Sequence, residues 1–420
     1  MKIWILEIGE PLPIEKNVRL HRYGQFSQYL AKLGHEVTWW ASSFSHAPKK
    51  HFSEKHEKKY LDGLCLYLIK GPGYKKNVSY ARIKHTKHFS DTFLKLSKKE
   101  DLPDIIIAPI PTVDSANAAF IYAQENNIKY VVDIRDLWPD ELVNLAPVPL
   151  RPFAKFLFKN SYRKMREICS KASGIMGVSN SYISYGLGFA GRERRSEDIF
   201  FPLGYTTVKN SVESISSIKQ GFVNKYVSDK RSLKLCFFGT LGNYFDLFTV
   251  FKAIHQLKDE FPIQLFIGGT GSSLKRFEAQ VGKLGIEDSV VFLGWINSLQ
   301  IQALMELSDV GLAPYKVDAQ MSLPNKPFEY MAGGLPILSS IQGELKAILD
   351  DQKCGHTYVA NSVEDLVESL RWFQKCPDEA IEMGRRGRDL LENSFSNEKV
   401  FENVEKQLSN IIDPSPSEYA

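Results

Sequence analysis

The apolar positions of the chain follow two alternating patterns. Continuous apolar runs recur at KIWILEI (2–8), EVTWWA (36–41), LCLYLI (64–69), DIIIAP (104–109), KYVVDI (129–134) and GIMGVS (174–179). Between them lie longer segments whose apolar residues return every three or four positions. Phe26, Tyr29, Leu30 and Leu33 share one side of a predicted helix over 23–33 that Gly34 stops, and DSANAAFIYAQENN (114–127) reads as another. Runs of this kind suit strands covered on both faces, so strand–helix–strand units with a parallel sheet are expected. In such sheets ligands gather at the carboxyl ends of the strands. That rule draws Gly9, Arg19, Arg135, Asp136 and Ser179 toward one crevice.

From Thr206 to Arg231 the chain turns polar and aperiodic, which reads as the region of a domain junction. The pattern restarts with LKLCFFG (233–239), a helix from about 245 to 258, QLFIGG (264–269), the helix LKRFEAQVGKLG (274–285), VVFLG (290–294) and DVGLAPY (309–315). An amphipathic helix over 398–412 closes the chain. The class is α/β: two doubly wound, Rossmann-like domains, 1–207 and 208–395, followed by the segment 396–420.

At 420 residues the chain exceeds one ordinary core, and its 43% hydrophobic and 24% charged content is that of a soluble globular protein. Cys65, Cys169, Cys236, Cys354 and Cys376 are scattered without CxxC spacing, which argues for a reducing compartment without structural zinc or disulfides. The apolar N-terminus soon meets Glu7 and Glu10, unlike a signal peptide, and no uncharged apolar run reaches the roughly 18 residues of a membrane span. A cytoplasmic location is expected. The net charge of +4 is uneven: fourteen Lys/Arg face four acidic residues between Lys49 and Lys99, with four of the nine histidines there and His46 just before. Such a block is either a solvated face or a surface that meets anions.

The sharpest local anomaly is LPNKPFEYMAGGLPIL (323–338). Pro327 suits the first helical position and disfavours helical geometry at Lys326, which places a lysine at the helix cap. A lysine there offers no acceptor and puts its charge at the positive end of the dipole. Either an anion such as phosphate binds beside it, or it is a solvated lysine paired with Glu329 in the first turn. Two glycine loops, GTLGNYFD (239–246) and GGTGSS (268–273), each follow a strand and open a helix. They would let backbone N–H groups approach a diphosphate, or they are simply tight turns. DIRDLWPDE (133–141) packs Arg135, Asp136, Asp140 and Glu141 at a strand end, either facing the crevice or forming a surface loop anchored by Trp138. Arg151 to Ala172 alternates cations with Phe153, Phe156, Leu157, Phe158 and Met165, the composition of a membrane-surface helix or of one packed on a core. No HExxH, Cys/His cluster, DxD pair or GxSxG elbow appears. Chemistry at this site would rest on fixed dipoles and cations.

RDLWP (135–139) together with Pro-x-Lys-x-Phe-Glu-Tyr-Met-Ala-x-Gly (324–334), and GEPLPIE…GHEV (9–37), resemble bacterial family 4 glycosyltransferases of the GT-B fold. The likeness is greatest to the surface-polysaccharide branch, akin to O-antigen aminosugar transferases. It implies two Rossmann-like domains facing a central cleft, the second holding the nucleotide sugar, and a last helix crossing back to the first. It implies further that Glu329 bonds the ribose, main-chain groups near Trp295 and Ile296 meet the base, and the loops of Gly239, Gly242, Gly269 and Gly271 border diphosphate and sugar. The acidic residue that many relatives carry eight positions before Glu329 is Met321 here; their first-loop arginine and lysine are Thr240 and Asp246, and Arg135 replaces a histidine. The diphosphate's positive partner should then be Lys326.

The expected activity is a retaining, metal-independent glycosyltransferase of the hexosyltransferase type without a cofactor. It would move a sugar from a UDP- or GDP-linked donor to a glycan, expected to be polyprenyl-diphosphate-linked, in surface-polysaccharide synthesis. Lys326 would stabilise the departing diphosphate, and Arg135 and Asp136 would line the sugar or acceptor. Peripheral contact with the inner face of an anionic membrane is expected, and nucleic acid is not. The alternatives are a nucleotide-sugar 2-epimerase and a non-catalytic glycosyltransferase-like binding protein.

Overall fold

The computed structural model describes residues 1–15, 18–46, 48–76, 79–206, 211–317 and 322–414. The expected boundary at 207/208, Met321 and the end of the 396–420 segment lie outside them. The chain divides into two compact units, Met1–Pro202 with the chain from Val400 on, and Leu203–Lys399.

The first unit contains strands β1 (Lys2–Leu6), β2 (Glu36–Ser42), β3 (Phe44–Ser45), β4 (Lys50–His51), β5 (Glu57–Leu61), β6 (Leu64–Ile69), β7 (Ile105–Ile110), β8 (Lys129–Ile134), β9 (Gly174–Gly177) and β10 (Ile199–Phe200). Its main sheet runs β10-β9-β8-β7-β1-β2-β6-β5 and is parallel but for β5, which pairs antiparallel with β6. Both faces are covered, as the continuous apolar runs require. On one, Trp4 stacks on Tyr122 at 5.4 Å and meets Trp40 edge-on at 5.0 Å. On the other, Phe401, Val404 and Leu408 from the helix Asn397–Ile412 pack with Tyr23, Phe26 and Phe201. Beneath that face Arg22 and Tyr23 direct their polar ends to the fully buried Asp133, with the Tyr23 hydroxyl donating at 2.7 Å.

The second unit has a parallel sheet of β11 (Leu233–Phe238), β12 (Ile263–Gly268), β13 (Val290–Gly294), β14 (Val310–Ala313), β15 (Ile337–Ser339) and β16 (Gly355–Thr357), ordered β13-β12-β11-β14-β15-β16. The direction of winding reverses between β11 and β14, the place where doubly wound sheets hold ligands.

Three expectations need correction. The junction read as aperiodic contains the fifteen-residue helix Val212–Tyr226, capped by Ser211. Its apolar residues do recur at helical spacing, but only Ile215 is buried, so interleaved serines obscured the period. The strand β5 was missed although Asp62-Gly63, both at positive φ, is a two-residue hairpin turn. Arg151 to Ala172 is two helices, Arg151–Leu157 and Lys159–Lys171, broken at Phe158. The second buries Tyr162, Met165, Ile168 and Cys169 in the core, whereas the first buries nothing.

Replacing Arg22 with Met should destabilise the first unit by about 3–5 kcal/mol, because Asp133 would remain buried without its cation. Urea unfolding followed by probes in each unit should show the loss in the first unit only; an unchanged midpoint would mean the pair contributes nothing.

Candidate functional site

At the switch point of the second sheet, the loops after β11, β12 and β13 lie side by side, and the first of them meets Lys326 of the helix Asn325–Gly333. Gly239 follows β11 and Gly269 follows β12, at φ of 133° and 132°. Their backbones are laced together: Gly239 N–H donates to Gly268 O at 2.8 Å, Leu241 N–H to Thr270 O at 2.9 Å and Ser273 N–H to Leu241 O at 3.0 Å. A Cβ on Gly269 would lie 1.9 Å from Gly239 O, and one on Gly271 would lie 2.4 Å from Leu241 O. At these two positions a side chain is thus excluded and backbone packs on backbone. Gly242 is less constrained, with only Tyr244 within 4 Å of a built Cβ. After β13 the Ile296 side chain fills the space above Gly268, while Trp295 is 73% exposed.

Lys326 does not cap its helix. The helix starts at Asn325 after Pro324, which supplies no side-chain cap, so Lys326 is the second helical residue and Glu329 lies in the second turn. The bias of a pre-proline residue gives way because Pro327 is still in the first turn, where its missing N–H leaves no hydrogen bond unmade. The physical conflict nevertheless stands. Lys326 is 9% exposed, and its Nζ lies 4.6 Å from the ring centre of Phe245 and 5.0 Å from that of Phe237. The amine approaches the Gly239 loop so closely that a Cβ on Gly239 would sit 2.5 Å from Nζ. No carboxylate within the described residues forms an ion pair with it. Burial lowers its pKa, opposed only by the field of Glu329. This excludes the solvated-lysine reading. Two aromatic faces and a charge at a distance offset part of the desolvation cost. Thr240 and Asp246 provide no second cation, and Asp246 caps the helix Leu247–Leu257 by accepting from Thr249 N–H and, at 2.6 Å, from its hydroxyl.

In the first unit, Arg135 is already engaged. Its Nη1 lies 3.1 Å from Glu7 Oε2 and 2.8 Å from Glu10 Oε1, both carboxylates buried at the end of β1. Glu7 Oε1 accepts from Gly9 N–H at 2.5 Å and Glu10 N–H at 3.1 Å; Glu10 Oε2 accepts from Tyr23 N–H and Gly24 N–H at the start of the helix Arg22–Lys32. The arginine therefore fastens the loop after β1 to the end of β8. Sequence reasoning used Glu7 and Glu10 only against a signal peptide; two acids closing an apolar strand were the missed signal. Burial foremost, with Glu10 adding to it, pushes the Glu7 carboxyl up to about 7 despite Arg135. Asp136 is half-buried, and burial raises its pKa against the pull of Arg135 and Arg82. Of the other crevice candidates, Ser179 is a buried helix cap accepting from Tyr182 N–H, and Arg19 is exposed. Asp140 accepts from the hydroxyls of Tyr162 and Tyr185. Within the basic block, His85 is buried against Ser42 and Gly73, a structural role.

Residues 219–390 match the family model described as glycosyl transferases group 1. Among curated proteins the chain is 25% identical over 171 residues to the putative colanic acid biosynthesis glycosyltransferase WcaL of Escherichia coli (strain K12). That match covers 40% of this chain and 41% of WcaL, so it spans about two fifths of the relative's length. Among solved structures, Anabaena Alr3699/HepE in complex with UDP superposes with a TM-score of 0.69 at 14% identity, covering 98% of this chain and 100% of that one. WaaG, a glycosyltransferase involved in lipopolysaccharide biosynthesis, gives 0.63 at 16% identity over 98% and 100%. Sucrose-phosphate synthase from Thermosynechococcus elongatus gives 0.67 at 14% identity over 99% and 100%. The fold is that of these proteins, the GT-B type with two Rossmann-like α/β domains.

The raised Glu7 pKa has a definite sign. The folded state keeps this proton to about pH 7, whereas the unfolded chain releases it near 4.5, so stability should fall as pH rises through that interval. Glu7→Gln should flatten this part of the pH–stability profile of the first unit. An identical slope in the variant would contradict a buried, protonatable Glu7.

Proposed function

We propose that the chain transfers a sugar from a nucleoside-diphosphate donor, with the second unit holding the donor. The observation that carries this reading is the buried Lys326 amine, at the first turn of a helix and against the Gly239 loop, whose backbone is laced to a second glycine loop. A diphosphate there would accept from the ammonium and from unpaired helix N–H groups, and the arriving charge would raise the lysine's lowered pKa. Stabilising that charge favours the broken glycosidic bond over the intact one, so the corner would act on the leaving group. The Gly239, Gly242, Gly269 and Gly271 loops would border diphosphate and sugar. Glu329 would hold the ribose, and main-chain groups near Trp295 and Ile296 the base.

WcaL is a putative colanic acid enzyme and WaaG acts in lipopolysaccharide biosynthesis, which supports a role in polysaccharide synthesis. HepE was solved with UDP-glucose, which supports a UDP-linked donor over a GDP-linked one. We assign the reaction as retaining and independent of a protein-bound metal, with front-side attack by the acceptor within an ion pair. Asp136 would line the acceptor side, and Arg135 would act there by positioning the loop after β1. The acceptor is a lipid-linked glycan at the membrane face. No described helix is long and apolar enough to cross a membrane, but the helix Arg151–Leu157 exposes Phe153, Phe156 and Leu157 at 63%, 68% and 64%. Grouped apolar exposure of this kind, among cations, supports peripheral contact.

Thermal shifts over UDP-, GDP-, ADP- and TDP-sugars, followed by product analysis with and without glycan acceptor, test the assignment. Lys326→Ala should weaken nucleoside-diphosphate binding by about tenfold or more while changing nucleoside binding little. Equal losses for both ligands would remove the phosphate role, and isomerisation of donor alone would replace transfer with epimerisation.

A further inference from the structure

The exposed helix is one wall of a groove within the first unit. A cavity of about 750 Å³ lies between Arg151–Leu157, Lys159–Lys171 and Asn180–Ala190, lined by Lys155, Lys159 and Arg166 above Tyr162, Tyr185 and Phe189. None of the three cations forms an ion pair within the described residues. The one carboxylate in the lining, Asp140, has its two oxygens occupied by the Tyr162 and Tyr185 hydroxyls. The groove therefore presents positive charge without an ion-paired carboxylate over an aromatic floor, with Lys155 Nζ 5.4 Å from the Tyr162 ring centre. Gly188 lines it beside open space, since a Cβ built there meets nothing within 4 Å.

Its rim is apolar. Besides Phe153, Phe156 and Leu157, the approach from the helix Asp140–Asn144 exposes Leu145, Val148 and Leu150 at 72%, 68% and 56%. Apolar side chains in water are ordinary when single; six within thirteen residues, in the segment that ends in the groove's exposed wall, match a molecule with an anionic head and hydrocarbon tails. Resting on the membrane contact proposed above, we infer that this groove seats the phosphate headgroup of an anionic phospholipid. Lys155, Lys159 and Arg166 would meet the phosphate, and the acyl chains would run over Phe153, Phe156 and Leu157. The first unit would thus hold a lipid in a shaped seat, beyond the attraction of a diffuse positive field.

Flotation with phosphatidylglycerol vesicles against phosphatidylcholine vesicles, at low salt, tests the seat. Three variants serve: Lys155→Ala with Lys159→Ala, Gly188→Leu, and Lys98→Ala with Lys99→Ala as an equal charge loss elsewhere. The groove double variant should bind phosphatidylglycerol about tenfold more weakly, and the control double variant less than about twofold. Gly188→Leu, which fills the groove without changing charge, should weaken binding about as much as the groove double variant. Dihexanoyl phosphatidylglycerol should raise the Tm of the wild type but not of Gly188→Leu, and inorganic phosphate should raise neither. Wild-type retention by Gly188→Leu, equal losses in both double variants, or a phosphate effect matching the short-chain lipid would each overturn the proposal. Thermal shift by UDP reads the second unit separately: its failure with lipid binding intact would count against the donor assignment alone.

Discussion

One buried ammonium constrains the second unit more than any other group. Moving a lysine charge out of water is costly, and a protein commonly answers with a carboxylate in contact. For Lys326 the described residues answer with two aromatic faces, a glycine loop and the distant field of Glu329. That arrangement tolerates the cation without neutralising it. The same corner holds a helix start without a side-chain cap, and glycines at 269 and 271 where a Cβ would strike backbone. All three features favour one kind of visitor, a compact anion.

The first unit treats its buried charges in the opposite way. Arg22 pairs with Asp133 and donates to Phe201 O, and Arg135 pairs with Glu7 and Glu10. These pairs tie the ends of β1 and β8 to the start of the first long helix, so they build the rim of that sheet. The contrast separates structural cations, which arrive with their anions, from Lys326 and the groove lysines, which do not.

Much of the fold was legible because buried parallel strands are continuous apolar runs. Leu64–Ile69, Lys129–Ile134 and Val290–Gly294 coincide with the runs read from the sequence. What escaped reading was marginal in burial or set by tertiary contact. The Val212–Tyr226 helix buries one side chain, and β5 has an alternating pattern with charged residues that only its Asp-Gly turn betrays. The Lys326 corner was visible as a broken rule, although the reason given, a misplaced cap, was off by two positions, since the cap is Pro324. The engagement of Arg135 was hidden because its partners stand over a hundred positions earlier. Arg151 to Ala172 follows its core-packing reading only in its second half, since Phe158 separates a core helix from an exposed one.

The central claim concerns the charge of one amine, and that can be observed directly. In protein labelled with ¹³C at lysine Cε, the Lys326 resonance, assigned by its loss in Lys326→Arg, can be titrated with and without UDP. A diphosphate received at this corner should raise the lysine's pKa and shift its resonance at constant pH, while uridine should do neither. A Lys326 titration identical in the presence and absence of UDP, under conditions where UDP is bound, would contradict the account.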